Sequence, residues 1–278
     1  MVSPSVLVVP QWQGSVRPQA PALAAGAAQL ADLARARGVA VRDARGLPGT
    51  RSAGRHGVDS FDAILAAQAL IATALPAGPT LAIGGDCSAD LPLAARELRD
   101  RGGDVAVLWI DAHADFNSPA SSPSGAFHGM VLRCLAGTGP DELLPATAAR
   151  PDSLVLAGTR SVDQAERADL VAAGIEPLGM RALAEPQIVA AALRRTGRAA
   201  VHIHLDLDVL DPEVFPHTTY AEPGGATVGQ VAALLRAAGE TLPVCSAFIG
   251  EHLGGDVSAT EVAGPLLGGL LAMLGGPA

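Results

Sequence analysis

The stretch Val105-Ala106-Val107-Leu108-Trp109-Ile110-Asp111-Ala112-His113-Ala114-Asp115 decides how the chain is read. Its first part, Val105 to Ile110, is a short apolar run rich in β-branched residues, the mark of a strand buried on both faces of a parallel sheet. Its second part sets two acids and an imidazole at alternate positions directly beyond that strand. Parallel sheets carry their ligand sites outside the carboxyl ends of the strands, so Asp111, His113 and Asp115 stand where chemistry is expected.

The same pattern extends outward in both directions. Val6 to Val9, Val39 to Arg42, Leu81 to Ile83, Leu154 to Ala157, Ala200 to Val209 and Ala247 to Ile249 read as further strands. Between them, Pro21 to Arg37, Ser60 to Ala74, Leu91 to Arg101, Gln164 to Ala173, Glu185 to Thr196 and Thr227 to Leu242 have the length and spacing of amphipathic helices. The apolar stretch from Val262 to Leu274 reads as a buried helix. Strands alternating with helices build βαβ units, which predicts an α/β fold on a parallel sheet. With 278 residues, 49% hydrophobic and 17% charged, the chain can bury a large core. No linker-like break divides it, so a single domain over residues 1–278 is expected. Four strands run into unusual chemistry: Gly84-Gly85-Asp86-Cys87-Ser88, the Asp111 to Asp115 segment, Asp206-Leu207-Asp208, and Gly250-Glu251-His252.

Composition removes whole mechanism classes. All 19 basic residues are arginine, which excludes Schiff-base chemistry and the phosphate-binding lysine of a P-loop, since both need a primary amine. A formal net charge of −9 with two tryptophans, one tyrosine and five phenylalanines argues against nucleic acid, which asks for a basic face and stacking rings. Cys87, Cys134 and Cys245 are odd in number and widely spaced, so neither a disulfide framework nor a zinc ribbon is expected. Met1 to Pro10 lacks a basic n-region, and no apolar run is long enough for a membrane span. A cytoplasmic protein without membrane partners is the expectation.

In extended backbone, alternate side chains share a face, so Asp111, His113 and Asp115 are expected to converge, as are Asp206 and Asp208. A lone Asp-x-His-x-Asp is also a common hydrogen-bonded turn; the Asp-x-Asp on a second strand turns the reading toward a metal. Four crowded carboxylates raise one another's pKa unless cations sit among them. Two divalent ions meet that need. Carboxylate-rich coordination with one imidazole favours Mn(II) over zinc, and such a pair acidifies a shared water at neutral pH. His202 and His204 read as hydrogen-bonding supports or core histidines rather than ligands.

These segments resemble, in order, the three signatures of the arginase, agmatinase and formimidoylglutamase family of ureohydrolases: Gly84 to Ser88, Asp111 to Asn117, and His204 to Pro212. The resemblance implies a three-layer α/β/α fold with a mostly parallel sheet of about eight strands. It also implies two Mn2+ per chain, held by Asp111, His113, Asp115, Asp206 and Asp208, and hydrolysis of a guanidino or formimino C–N bond. In Ser124-Gly125-Ala126-Phe127-His128-Gly129, His128 stands where the family has its proton-shuttle histidine, and Asn117 and Ser124 stand where arginases bind the substrate α-carboxylate. The segment Gly158 to Asp163, followed by Glu166, resembles the arginase loop whose acids hold the α-amino group. Glu251 resembles the acid that pairs with the guanidinium. By this resemblance the catalytic roles fall to His128, Asp115 and Glu251 and the partner is a small guanidino molecule; relatives are often trimers or hexamers, which leaves a homo-oligomer open.

The sequence also departs from that pattern. Cys87 replaces a metal-binding histidine, and at a strand end within a signature it reads as a ligand, whereas Cys134 and Cys245 read as core residues. A thiolate there would make one metal a weaker Lewis acid and favour softer ions, or its site could be weakened. Ala126 replaces a carboxylate-holding asparagine, Tyr220 falls near a threonine of the guanidinium pocket, and His252-Leu253 replaces Val-Asn of a usual Val-Asn-Pro. The expected substrate is arginine or an N-substituted arginine, and each of these changes weakens the case for ordinary arginine and is compatible with an N-substituted one such as N-hydroxyarginine. An agmatine-like or formimino substrate, and a non-catalytic metal-binding protein, are the alternatives.

Overall fold

The computed structural model describes residues 4–275; Met1 to Ser3 and the last three residues, which the single-domain reading takes in, lie outside it. Its strands are β1 (Ser5–Val9), β2 (Val41–Asp43), β3 (Thr80–Gly84), β4 (Val105–Ile110), β5 (Leu154–Ala157), β6 (Ala200–Asp206) and β7 (Val244–Gly250). They form one parallel sheet in the order β2-β1-β3-β7-β6-β4-β5. The sheet therefore has seven strands among the described residues, not about eight. Each apolar run read as a strand accounts for one of them. The long connection after β2 carries Gly46, Pro48, Gly49 and Gly54, and glycine and proline there leave little to pair with a sheet edge.

The longer helices are α1 (Leu23–Ala36), α2 (Phe61–Ala74), α3 (Leu91–Asp100), α4 (Val131–Leu135), α5 (Gln164–Ala172), α6 (Arg181–Ala184), α7 (Gln187–Thr196), α8 (Val228–Thr241) and α9 (Val257–Met273). α1, α6, α7, α8 and α9 supply apolar side chains to one face of the sheet, and α2, α3, α4 and α5 to the other. β4 shows why its sequence reads as continuous apolar: Ala106, Leu108 and Ile110 face the first layer, Val105 and Trp109 the second, and all are buried. Burial of each such large side chain contributes roughly 1.5–3 kcal/mol. α8 begins with a reciprocal cap, Thr227 Oγ1 accepting from Gln230 N and Gln230 Oε1 accepting from Thr227 N. α9 contains Pro265, and Arg37 donates to the carbonyl of Gly264 at 3.1 Å, bonding backbone beside the interruption. No helix among the described residues is long and apolar enough to cross a membrane.

The strand order places the four chemistry-bearing ends side by side, because β3, β7, β6 and β4 are contiguous in the sheet. Two local expectations are corrected. The strand read as Ala200 to Val209 ends at Asp206, and Leu207–Val209 is a 3-10 turn. Residues 111–115 are not extended either; they form bends and a loop in which Asp115 has φ +50°. Convergence of the acids therefore comes from backbone that leaves the sheet and folds back, not from strand alternation.

Candidate metal centre and cleft

The turns that follow the strands bind their own acids. Asp206 Oδ1 accepts from Asp208 N at 2.6 Å, and Asp111 Oδ1 accepts from His113 N at 2.7 Å. Asp208 Oδ1 reaches across to accept from Ala112 N at 3.2 Å, joining the β4 and β6 ends. Arg160 fixes the same turn, donating to the carbonyls of Asp208 at 2.9 Å and Glu222 at 2.8 Å. At the β3 end the backbones come so close that a Cβ on Gly85 would lie 1.9 Å from the carbonyl oxygen of Gln11. Glycine is required there by contact alone. Glu251 N donates to Gly85 O at 2.7 Å, bringing the β7 end against it.

The structure brings the six expected metal ligands together. Ligand atoms of Cys87, Asp111, Asp115 and His204 lie within 4.8 Å of one another, as do those of Cys87, Asp206 and Glu251, and those of Asp111, His113 and Asp208. His113 Nδ1 stands 3.0 Å from Asp208 Oδ2. Burial, reinforced by neighbouring acids, pushes the carboxyls of Asp115 and Asp206 well above the carboxylate range and that of Asp111 upward. Burial and then Asp206 push the Cys87 thiol far up, and its Sγ donates to Asp206 Oδ2 at 3.2 Å. For His113, burial disfavours the charged form, but Asp208 and Asp111 hold its pKa well above the usual value. Asp115 Oδ2 and His204 Nε2 are buried without a hydrogen-bond partner among the described residues. An excess of acceptors, raised acids and orphaned lone pairs is the state that divalent cations would relieve, so the donor set fits two metal ions.

Above this floor opens a cleft of about 500 Å³. Asp115, Asp206, Asp208 and His113 reach its surface, as do the expected substrate residues Asn117, Ser124, Asp163, Glu166 and Tyr220 and the expected proton carrier His128. Cys87, Asp111 and Glu251 lie deeper, each at most 2% exposed. Glu251 is held at φ +59°, a conformation that strains a non-glycine residue. It accepts from Cys87 N at 3.2 Å and from Thr219 Oγ1 at 2.9 Å, and lies 3.0 Å from His128 Nδ1. Burial works against charge on His128, but this bond to Glu251 leaves its pKa raised.

The residues expected to read the amino-acid end of a substrate are less free than the sequence implies. Glu166 accepts from Phe116 N at 2.7 Å and from Asp163 N at 3.2 Å, so both its oxygens already serve backbone at the start of α5; burial lifts its pKa to about 7. Asn117 donates to Asp163 Oδ2 at 3.3 Å, and its own carbonyl oxygen is orphaned. Ser124 Oγ accepts from Ala126 N at 3.2 Å. Cys134 and Cys245 are buried in the apolar core, as expected, with pKa values pushed to about 12 by burial. Sequence reading missed Arg17, Glu222 and Asp90. Arg17 lines the cleft with its guanidinium 4.3 Å from the Tyr220 ring, and nothing in the loop after β1 marks it. Glu222 Oε1 stands 3.7 Å from His113 Nε2. Asp90, opposite His202 and His204, was readable only as an acid two residues beyond the first signature segment.

Comparison with known proteins follows the same lines. A sequence model described as the arginase family matches residues 25–251. An arginase of Coccidioides immitis (strain RS) is 36% identical over 163 residues, covering 53% of this chain and 51% of that protein. The chain thus spans about half the length of the curated relatives it matches. The structure of arginase from Bacillus subtilis matches with a TM-score of 0.82 at 25% identity, over 97% of this chain and 98% of that one. Proclavaminate amidino hydrolase from Streptomyces clavuligerus shares the fold, with a TM-score of 0.74 at 21% identity over 98% of this chain and 91% of that one.

Proposed function

The chain belongs to the arginase family, and on that premise we propose that it is a binuclear manganese-dependent hydrolase, cleaving the C–N bond of a guanidino compound to release an amine and urea or a substituted urea. The observation that carries this reading is the meeting of six ligand-type side chains from adjacent strand ends at the floor of one acidic cleft. Cys87, Asp111, Asp115 and Asp206 would hold one cation, and Asp111, His113, Asp206 and Asp208 the other. Bound there, the pair would neutralise the acids, polarise the guanidino group and lower the pKa of water to near neutrality.

The chain's own residues supply the rest. Asp115 presents an unpartnered oxygen toward the centre and can orient attacking water. His128, kept protonated by Glu251 behind it, donates its proton to the departing amine, a transfer whose removal costs about 10²–10⁴-fold in rate. Glu251 would pair with the substrate guanidinium in the manner of an Arg–carboxylate bond. Acids on the cleft surface favour a cationic substrate. Arg17, the one arginine lining the cleft among the described residues, suits its carboxylate end together with Asn117 and Ser124.

The substrate we favour is an N-substituted arginine such as N-hydroxyarginine. Sulfur ligation by Cys87 would give one cation lower acidity, and a less basic guanidino group is easier to attack. A panel of arginine, N-hydroxyarginine, agmatine and formimino compounds, assayed with Mn2+ for urea, hydroxyurea and ammonia release, tests this. Fastest turnover of the N-substituted substrate is expected; turnover of unmodified arginine alone contradicts the substrate assignment, and no turnover of any member contradicts the enzyme. Because Glu166 is fully engaged with backbone, an amidine lacking an α-amino group is the second reading, and the agmatine arm of the panel decides it.

A further inference from the structure

Trp109, His204 and Phe248 stand in one row across β4, β6 and β7. The His204 ring lies face to face with Trp109, centroids 3.4 Å apart at 6°, and with Phe248 on its other side at 4.7 Å and 13°. Both faces are covered, so the imidazole can bond only through its edge. One edge nitrogen is committed: Nδ1 is 2.8 Å from Asp90 Oδ2, and that oxygen also lies 2.9 Å from His202 Nε2. His202 Nδ1 faces the Ser246 hydroxyl at 2.7 Å.

A carboxylate oxygen accepts, so His204 carries its proton on Nδ1 and its lone pair on Nε2. That Nε2 is fully buried and has no hydrogen-bond partner among the described residues. An unpartnered buried acceptor has lost its water without gaining a protein partner and calls for an explanation. A ring nitrogen of His204 stands within 4.8 Å of ligand atoms of Cys87, Asp111 and Asp115; Nδ1 is committed to Asp90, and Asp115 also presents an orphaned oxygen. No neighbouring carboxyl donates to Nε2 among the described residues, and the Cys87 thiol already points to Asp206. What this point lacks is an electrophile.

We propose that His204 is a metal ligand, binding through Nε2 the divalent cation that Cys87, Asp111 and Asp115 surround, and that Asp90 is the positioning residue that fixes its tautomer. This rests on the metal centre proposed above. A buried carboxylate behind the far nitrogen of a metal-binding histidine orients the ring and raises its basicity. The two cation positions then differ in kind. One is built from sulfur, imidazole and carboxylates; the other, at Asp111, His113 and Asp208, has no sulfur, so the first is the softer.

The test compares wild type, His204→Gln and Asp90→Asn, each stripped of metal and titrated with Mn2+, reading bound equivalents and Kd. Wild type is expected to bind two equivalents, and His204→Gln one at concentrations that fill both sites of wild type. Asp90→Asn is expected to weaken the same site about 10–100-fold. Anomalous diffraction from Mn2+-soaked wild-type crystals needs no variant to fold, and is expected to place a peak at bonding distance from Nε2, near the roughly 2.0–2.1 Å of zinc–imidazole bonds. Two equivalents with unchanged affinity in a folded His204→Gln, or a filled centre whose ions all lie beyond bonding distance of Nε2, overturns the role of His204 and leaves the metal centre standing. Wild type that binds no metal overturns both.

Discussion

The two faces of β6 are equally buried and oppositely built. Val201, Ile203 and Leu205 point into the layer formed by α1, α8 and α9, while His202, His204 and Asp206 point to the other side. On the apolar face any well-shaped hydrocarbon would serve, and the stabilisation is spread over many contacts. On the polar face each group is committed to named partners: His202 to Asp90 and Ser246, His204 to Asp90, Asp206 to Cys87 and Asp208 N. One strand thus separates stability from chemistry by side-chain direction alone.

That separation can be broken most sharply at Asp206. Asp206→Asn is expected to lower Mn2+-dependent turnover by several kcal/mol of barrier, on the order of 10³-fold, while leaving metal-free stability unchanged or higher because a crowded acid is gone. A steady-state assay paired with urea unfolding reads both. Ile203→Ala should do the reverse, losing about 2–5 kcal/mol of stability while Mn2+ equivalents hold; an Ile203→Ala protein that loses metal without losing stability would erase the distinction between faces.

A buried histidine elsewhere sharpens the contrast. His252 lies beside α1, facing Gln29 Oε1 at 3.1 Å and the His217 and Phe215 rings, with no carboxylate partner among the described residues. Burial, with His217 adding to it, depresses its pKa to about 4. A histidine depressed below its unfolded value binds more protons when unfolded, so its contribution is whole above the unfolded pKa and is lost as pH falls from about 6.5 toward 4. The loss reaches up to about 3 kcal/mol. His252→Asn should flatten that acid limb in unfolding curves collected across this window; an unchanged limb assigns acid sensitivity to other groups. The smallest effect is expected at Ser246→Ala, about 1 kcal/mol of stability, since it removes one hydroxyl from His202 and touches no ligand.

Much of this was legible in the sequence and some was not, for a physical reason. Apolar runs mark strands because burial on both faces needs no partner information, and every such run, Val6 to Ala247, lies in the sheet. The acids were legible as a set because four carboxylates crowded together raise one another's pKa unless cations sit among them. How they meet was not: alternation holds only while backbone is extended, and Asp111 to Asp115 and Leu207–Val209 leave the sheet at once. Nor was strand order, which sets β7 beside β3 across the longest sequence separation in the sheet. Asp90 and Arg17 were invisible in their roles because each acts on residues far along the chain, His202 and His204 in one case and Tyr220 in the other.

Thermal unfolding of the metal-stripped chain against increasing Mn2+ tests most directly whether these acids gather round cations. A ligand that binds only the folded state raises stability by about 2.7 kcal/mol at a hundredfold excess over its Kd. The midpoint should climb steadily with Mn2+ in wild type and much less in Asp206→Asn. A midpoint indifferent to Mn2+ in wild type, or one that climbs equally in both, would contradict the centre.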